Sequence, residues 1–168
     1  IATMTRVPAE VEKSLVNQRI TPAVEPDVTS FLSRQAVASS NILGTKAIIT
    51  DSYTGRTARY ISSYRGSYPT LAICYHENVV RLLALSYGVL AVHQHSMASS
   101  RGYIRNALAQ LIESGRLTRE DRIAYLGGAF GEGHGTSFLE INRVGEIMDN
   151  YNYFNLPNLE ETDLCSKK

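Results

Sequence analysis

Tryptophan is absent from this 168-residue sequence, and cysteine occurs only twice. Cys74 and Cys165 lie far apart and do not form the spacing of a metal or redox motif. No apolar run approaches the roughly 20 residues that a membrane-spanning helix needs. The 17 Lys and Arg residues are scattered and balanced by 16 Asp and Glu residues, so neither nucleic acid nor a membrane is an expected partner.

The composition that remains is typical of one globular domain, with 43% hydrophobic and 20% charged residues. Cys74 ends an apolar run and is interpreted as a buried thiol, which fits the reducing cytosol, so we expect cytoplasmic localisation. The sequence begins at Ile1 rather than at Met, which we interpret as the cut edge of a longer chain.

The first part of the chain has a helical pattern over 4–17 and a proline-containing linker over 18–26. Asp27 has the side chain of an N-cap for a helix that runs to Leu43 and ends at Gly44. Beyond it, short apolar segments alternate with helical patterns until a glycine-rich loop precedes the last segment. The segments with strand character are 47–50, 69–74, 89–92, 123–126 and 137–144.

Apolar strands separated by helices indicate a largely parallel sheet that is covered on both faces. We predict an α/β fold, a three-layer αβα sandwich with a mostly parallel five-stranded sheet and an edge strand near 137–144. The predicted domain covers 27–147, and 148–168 forms a C-terminal tail.

The segment after the first strand combines hydroxyls, a glycine and a cation at the start of a helix, where unpaired N–H groups favour anions. It is predicted to bind phosphate, although an ordinary capped helix start explains the same residue types. The candidate residues are Ser52, Tyr53, Thr54, Gly55, Arg56 and Thr57.

The loop between the fourth and fifth strands holds five glycines, among them Gly131, Gly133 and Gly135. Such density favours close contact between backbone and ligand, and a simple connection is the alternative. His134 and Glu132 in this loop have no visible nucleophile partner, and His93 with His95 lacks further metal ligands. We therefore predict no catalytic residue and no metal site.

With these segments placed, the sequence resembles the C-terminal domain of pyruvate kinases over roughly residues 1–147. In that family an apolar strand leads to a "[ST]GR[ST]A" loop, and a "Y-R" pair closes the following helix. The segments that carry the resemblance are 1–15, Phe31–Leu43, Thr45–Thr50, Thr54–Arg65, Pro69–Cys74, Leu85–Val89 and Ser137–Val144.

The resemblance implies a parent enzyme that transfers a phosphoryl group from phosphoenolpyruvate to ADP with Mg²⁺ and K⁺. That chemistry belongs to a catalytic barrel, of which residues 1–26 would be the last helix and linker, so we expect this domain to hold no cofactor and to be inactive alone. It implies a phosphorylated small-molecule effector at Ser52–Thr57 and Gly131–Gly135. It also implies a homo-oligomer through the last strand, with Phe138, Leu139 and Ile141 at the interface.

Two departures from the family bear on the effector. Members that respond to fructose 1,6-bisphosphate often place a Trp before the helix that here holds Tyr103, and the second loop carries Glu132 without Lys or Arg. A second phosphate would lose about 1.5–3 kcal/mol for each missing charged hydrogen bond. We therefore expect an effector with one phosphate, or none.

Two other functions fit the same residues. A free-standing module could bind a phosphate ligand with the same fold, because fold does not fix function. An independent enzyme could use His134 with Glu132.

Overall fold

The computed structural model describes residues 27–95, 100–128 and 135–150. The predicted helix over 4–17, the linker and the segment 151–168 lie outside these ranges. In chain order the elements are α1 (Val28–Leu43), β1 (Ala47–Ser52), α2 (Arg56–Ser63), β2 (Thr70–Cys74), α3 (Glu77–Leu83), β3 (Val89–His93), α4 (Ser100–Glu113), β4 (Arg122–Gly128), β5 (Thr136–Arg143) and α5 (Val144–Asn150).

The strands form one sheet in the order β3-β2-β1-β4-β5. β1 pairs in parallel with β2 and with β4, and β2 pairs in parallel with β3. β5 runs antiparallel to β4 and occupies one edge. The predicted mostly parallel five-stranded sheet with a late edge strand is confirmed.

Alternating side chains of the central strands build a core on each face of the sheet. Ala47 and Ile49 of β1 pack with residues of α4 and α5. Ile48 packs on the opposite face with α1 and α2, and Ala72 of β2 packs there with α3. Helices therefore cover both faces, as predicted for a three-layer αβα sandwich. No helix in the described ranges is long and apolar enough to cross a bilayer.

Helix α1 begins and ends where the sequence predicts. The Asp27 side chain accepts a hydrogen bond from the Ser30 N–H, and Gly44 adopts φ 62° in the left-handed region that closes the helix. The buried face of α1 includes Ser33, Ala36 and Ser40, whose small side chains allow the helix to approach the sheet closely. Cys74 is fully buried, as predicted, and burial raises the pKa of its thiol to about 11.

Two elements differ from the sequence prediction. The helical pattern of the sequence continues from Glu77 to Tyr87 and predicts a helix of that length, but α3 ends at Leu83, its last buried side chain, and Leu85 is 96% exposed. The last strand ends at Arg143, and α5 follows at once without a loop. α5 crosses the predicted boundary at 147, and Met148 packs against the core beside the fully buried Ile147. Residues 148–150 therefore belong to this fold.

We predict that Ile147→Ala lowers the free energy of unfolding by about 2–5 kcal/mol, because the truncation leaves a cavity among fully buried neighbours. Glu146→Ala, on the exposed side of the same helix, is the matched control and should change stability by no more than about 0.5 kcal/mol. Urea denaturation followed by circular dichroism measures both values. Equal values for the two variants would show that α5 contributes nothing to the core.

Candidate ligand-binding site

The strand order locates the crevice of the sheet. The chain passes from β1 outward through β2 to β3, then crosses back through α4 to add β4 on the other side of β1. In open parallel sheets, ligands bind at the carboxyl ends of strands where the order reverses in this way. Here that point lies between the ends of β1 and β4, where β1 ends at Ser52 and β4 ends at Gly128.

The turn from β1 into α2 is shaped by its own residues. Ser52 is 3% exposed, and its Oγ accepts a hydrogen bond of 3.0 Å from the Gly55 N–H. Gly55 has φ 81°, a conformation that L side chains rarely adopt, and an added Cβ would lie 3.3 Å from Leu83 Cδ2. The Ser52 side chain thus holds the turn, and the glycine lets it lie against α3.

The remaining hydroxyl and cationic groups of the predicted phosphate loop are reachable from solvent. Thr54 and Arg56 are exposed, and Thr57 is half-buried. The Thr57 Oγ1 lies 2.8 Å from the Thr136 Oγ1 in a hydroxyl–hydroxyl bond, which joins the start of α2 to the start of β5. Arg56 pairs with Asp27 at 3.2 Å while its own side chain stays 53% exposed.

Only part of the predicted glycine loop falls within the described residues. Gly131 and Gly133 lie outside them, as do Glu132 and His134. Gly135 is exposed, and a Cβ there would lie 3.5 Å from the Thr29 hydroxyl at the start of α1. The starts of α1, α2 and β5 therefore meet at one end of the sheet, where β1 and β4 end.

Sequence reasoning missed a buried acidic group in the same crevice. The Asp51 carboxylate, half-buried at the end of β1, accepts a hydrogen bond from the Tyr75 hydroxyl at 3.2 Å and another from the Tyr125 side chain. The Tyr103 ring stacks on Tyr75 with 4.1 Å between ring centroids. We name these four residues (Asp51, Tyr75, Tyr103 and Tyr125) the acid–tyrosine cluster. An acid directly after the predicted strand 47–50 was the one signal that could have indicated it.

Tyr53 links the predicted phosphate loop to this cluster. Its ring lies 5.6 Å from Tyr75 and meets His76 edge-on at 4.7 Å, measured between ring centroids. Its side chain therefore faces the aromatic rings at the end of β2 and serves as a wall of the crevice.

The two histidines at the end of β3 lie close together. His93 and His95 lie on the same side with 5.0 Å between ring centroids. Within the described residues no three potential ligand side chains come together for a metal ion.

The predicted interface residues divide between the two faces of β5. Leu139 and Ile141 are half-buried and pack against the cluster that contains α1. Phe138 is 38% exposed and meets Tyr125 edge-on. The side chains of Leu139 and Ile141 thus pack largely within the domain, whereas Phe138 lies on the other face of β5.

The family model "Pyruvate kinase, alpha/beta domain" matches residues 31–142, which include the sheet through most of β5. The chain belongs to this family. The resemblance found in the sequence is therefore confirmed.

The relatives are whole pyruvate kinases. Pyruvate kinase of Bacillus licheniformis is 27% identical over 152 residues, which cover 88% of this chain and 26% of that protein. Pyruvate kinase of Borreliella burgdorferi is 30% identical over 126 residues, which cover 73% of this chain and 26% of that protein. The solved structure of Cryptosporidium parvum pyruvate kinase in complex with ADP superposes with a TM-score of 0.63 at 30% identity, covering 71% of this chain and 24% of that one.

The chain thus spans about a quarter of the length of the curated relatives that it matches. Family membership establishes a pyruvate kinase alpha/beta domain and its fold.

The acid–tyrosine cluster of this pyruvate kinase domain has an electrostatic cost that can be measured. Burial raises the pKa of Asp51 above its usual 3.8, and the hydrogen bonds from Tyr75 and Tyr125 offset this only in part. A carboxyl whose pKa is higher in the folded state opposes folding when ionised. This cost is full above the folded pKa, shrinks as pH falls through it, and vanishes below the unfolded value.

We therefore predict that Asp51→Asn raises the free energy of unfolding at neutral pH, because the amide oxygen still accepts a tyrosine hydroxyl without a buried charge. The gain should fall toward zero as pH approaches 3.8. Chemical denaturation across this pH range measures it. Glu77→Gln is the control, since Glu77 is 71% exposed and should change stability by no more than about 0.5 kcal/mol. A gain independent of pH would refute the electrostatic cause.

Proposed function

We propose that this chain is the regulatory and assembly domain of a pyruvate kinase, and that Ser52–Thr57 binds the phosphate group of a small-molecule effector. The observation that carries the proposal is the position of this turn. It joins the central strand to the start of a helix, beside the point where the strand order of the sheet reverses. Both the crevice and the helix start favour an anionic ligand there.

The chemistry of the turn supports a phosphate. The first N–H groups of a helix have no partner within the helix and carry the positive end of its dipole. Around the start of α2 stand the exposed Thr54 hydroxyl, the Thr57 hydroxyl and the Arg56 guanidinium. Because the Ser52–Gly55 hydrogen bond already fixes the turn, little conformational entropy would be lost when an anion binds.

The charge balance supports a single phosphate. Arg56 is the cation within the turn, and Asp27 at 3.2 Å neutralises part of its charge. One anion at Thr54–Thr57 therefore has donors, whereas Ser52–Thr57 contains no second cation for another phosphate.

We also propose a function for the longer protein of which this domain would be a part, because the relatives are pyruvate kinases. The parent would transfer a phosphoryl group from phosphoenolpyruvate to ADP, giving pyruvate and ATP, in the cytoplasm. Its catalytic domain would supply the Mg²⁺ and K⁺ sites and would be the covalent neighbour of this domain. The loop glycines Gly131, Gly133 and Gly135 complete the proposed effector site.

We predict that inorganic phosphate binds the wild-type chain and that Arg56→Gln weakens binding about tenfold or more, the equivalent of one charged hydrogen bond. Isothermal titration calorimetry measures the affinity. The matched control is Arg81→Gln, because Arg81 is also an exposed arginine in an ion pair, with Glu77 on α3. Equal affinity in both variants, or no binding to the wild type, would refute the phosphate site.

The assembly function concerns β5. As an edge strand it presents backbone N–H and C=O groups along one side, and such edges pair with other strands unless they are blocked. In β5 Leu139 and Ile141 turn inward and Phe138 contacts Tyr125. The charged side chains that could oppose pairing are Glu140 and Arg143, and Arg143 is already paired with Glu120. We propose a homodimer in which two copies pair through this edge.

We predict a dimer by light scattering at high protein concentration. Ser137→Lys should shift the equilibrium toward monomer, because Ser137 is exposed on β5 and an added cation on each copy disfavours edge pairing. Ser67→Lys, also exposed but in the turn before β2, is the control and should leave the mass unchanged. A monomeric wild-type chain would contradict the proposal.

A further inference from the structure

The end of the sheet opposite the proposed phosphate turn carries a groove. The loops 44–46, 68–69 and 120–122 line it, and they lead into β1, β2 and β4, the three central strands. These strands are parallel, so the groove lies at their amino ends. Its volume is about 490 Å³, within the range of small-molecule sites. We name it the amino-end groove.

Two cationic residues occupy neighbouring positions in this groove. The Lys46 N–H donates to the Arg122 carbonyl at 2.7 Å, where β1 and β4 begin to pair. Both residues are exposed and line the groove. Arg122 also donates to the Leu43 carbonyl at 3.5 Å, a long bond that leaves most of its five donors for another acceptor. Because like charges on neighbouring strands repel each other, this pair favours an anion between them.

The acidic residues of the groove are already engaged. Glu120 pairs with Arg143 at 2.7 Å, and the Asp121 carboxylate accepts the Thr118 N–H at 2.7 Å. In the part of the chain that the structure describes, neither acid forms an ion pair with either cation of the groove. The two positive charges are therefore not neutralised within the domain.

Thr45 supplies an independent observation. It lines the same groove next to Lys46 and is fully buried. Its hydroxyl has no hydrogen-bond partner among the described residues. A buried hydroxyl without a partner destabilises a fold, and a ligand oxygen bound beside the two cations would accept its hydrogen bond and remove that cost.

The other walls of the groove indicate the rest of the ligand. Tyr68 is half-buried and Pro69 is exposed beside it, so a flat apolar group can lie against their rings. A ligand with two negative charges is disfavoured, because Glu120 and Asp121 line the same groove and α1 ends there with its negative dipole end.

We propose that the amino-end groove binds a small organic monoanion, an aromatic carboxylate. Its carboxylate oxygens would accept from Lys46, Arg122 and the Thr45 hydroxyl, and its ring would lie against Tyr68 and Pro69. This site is separate from Ser52–Thr57 and does not depend on the phosphate proposal.

Titration of the 168-residue chain with sodium benzoate at constant ionic strength, followed by ¹H–¹⁵N NMR, tests the proposal. We expect amide shifts within 44–46, 68–70 and 120–123 and none within 52–57. Lys46→Gln and Arg122→Gln should each weaken benzoate binding about tenfold, because each removes a charged hydrogen bond. Arg116→Gln is the matched control, since Arg116 is exposed but does not line the groove, and it should leave the affinity unchanged.

A third variant separates lost binding from lost folding. Thr45→Val removes the unpartnered hydroxyl with little change in size. The melting temperature of the free chain should rise, and benzoate should bind severalfold more weakly. Opposite changes of this kind cannot result from a damaged fold.

Phenyl phosphate, which carries a similar ring on a dianion, is the second probe. It should bind the groove severalfold more weakly than benzoate, and any shifts that it causes within 52–57 report the phosphate turn instead. Tighter binding of phenyl phosphate in the groove would refute the monoanion.

Two results would overturn the site itself. These are the absence of benzoate shifts in the groove, and shifts whose affinity is the same in Lys46→Gln, Arg122→Gln and the wild type. Neither result would affect the phosphate proposal, which is read at 52–57.

Discussion

The pairing of β1 on both sides, with β2 and with β4, is the constraint on which the rest of this domain depends. Both edges of β1 are paired and both of its faces are covered, so the turn after β1 has little room between the two layers of helices. The Ser52 hydroxyl and the left-handed backbone of Gly55 make this turn tight. The same pairing brings the starts of α1, α2 and β5 together at the carboxyl ends of β1 and β4, where the crevice lies.

The sequence predicted the layers of the fold because their determinants are local. Asp27 and Gly44 mark the ends of α1 by their own chemistry, and continuous apolar strands such as 70–74 indicate burial on both faces. The extent of α3 could not be predicted, since the pattern beyond Leu83 continues with apolar residues that the fold leaves exposed, Leu85 most of all. α5 was missed because a helix of seven residues starting directly after a strand offers too little periodicity, and its burial depends on contacts with distant parts of the chain.

One part of the candidate site could be predicted from the sequence and the other could not. The phosphate turn was visible as a run of adjacent residues, whereas the acid–tyrosine cluster draws its members from β1, β4, α4 and the end of β2. Residues so far apart in sequence are brought together only by the strand order. Spacing also gave no indication that Ser52 faces inward as a support of the turn, or that Thr57 is bonded to Thr136 across the sheet.

A single carboxylate oxygen serves two helices. Asp27 Oδ2 accepts the Ser30 N–H at the start of α1 and also pairs with Arg56 at the start of α2. One atom of Asp27 therefore holds together two helix starts that are far apart along the chain, and it does so at the residue with which the predicted domain begins.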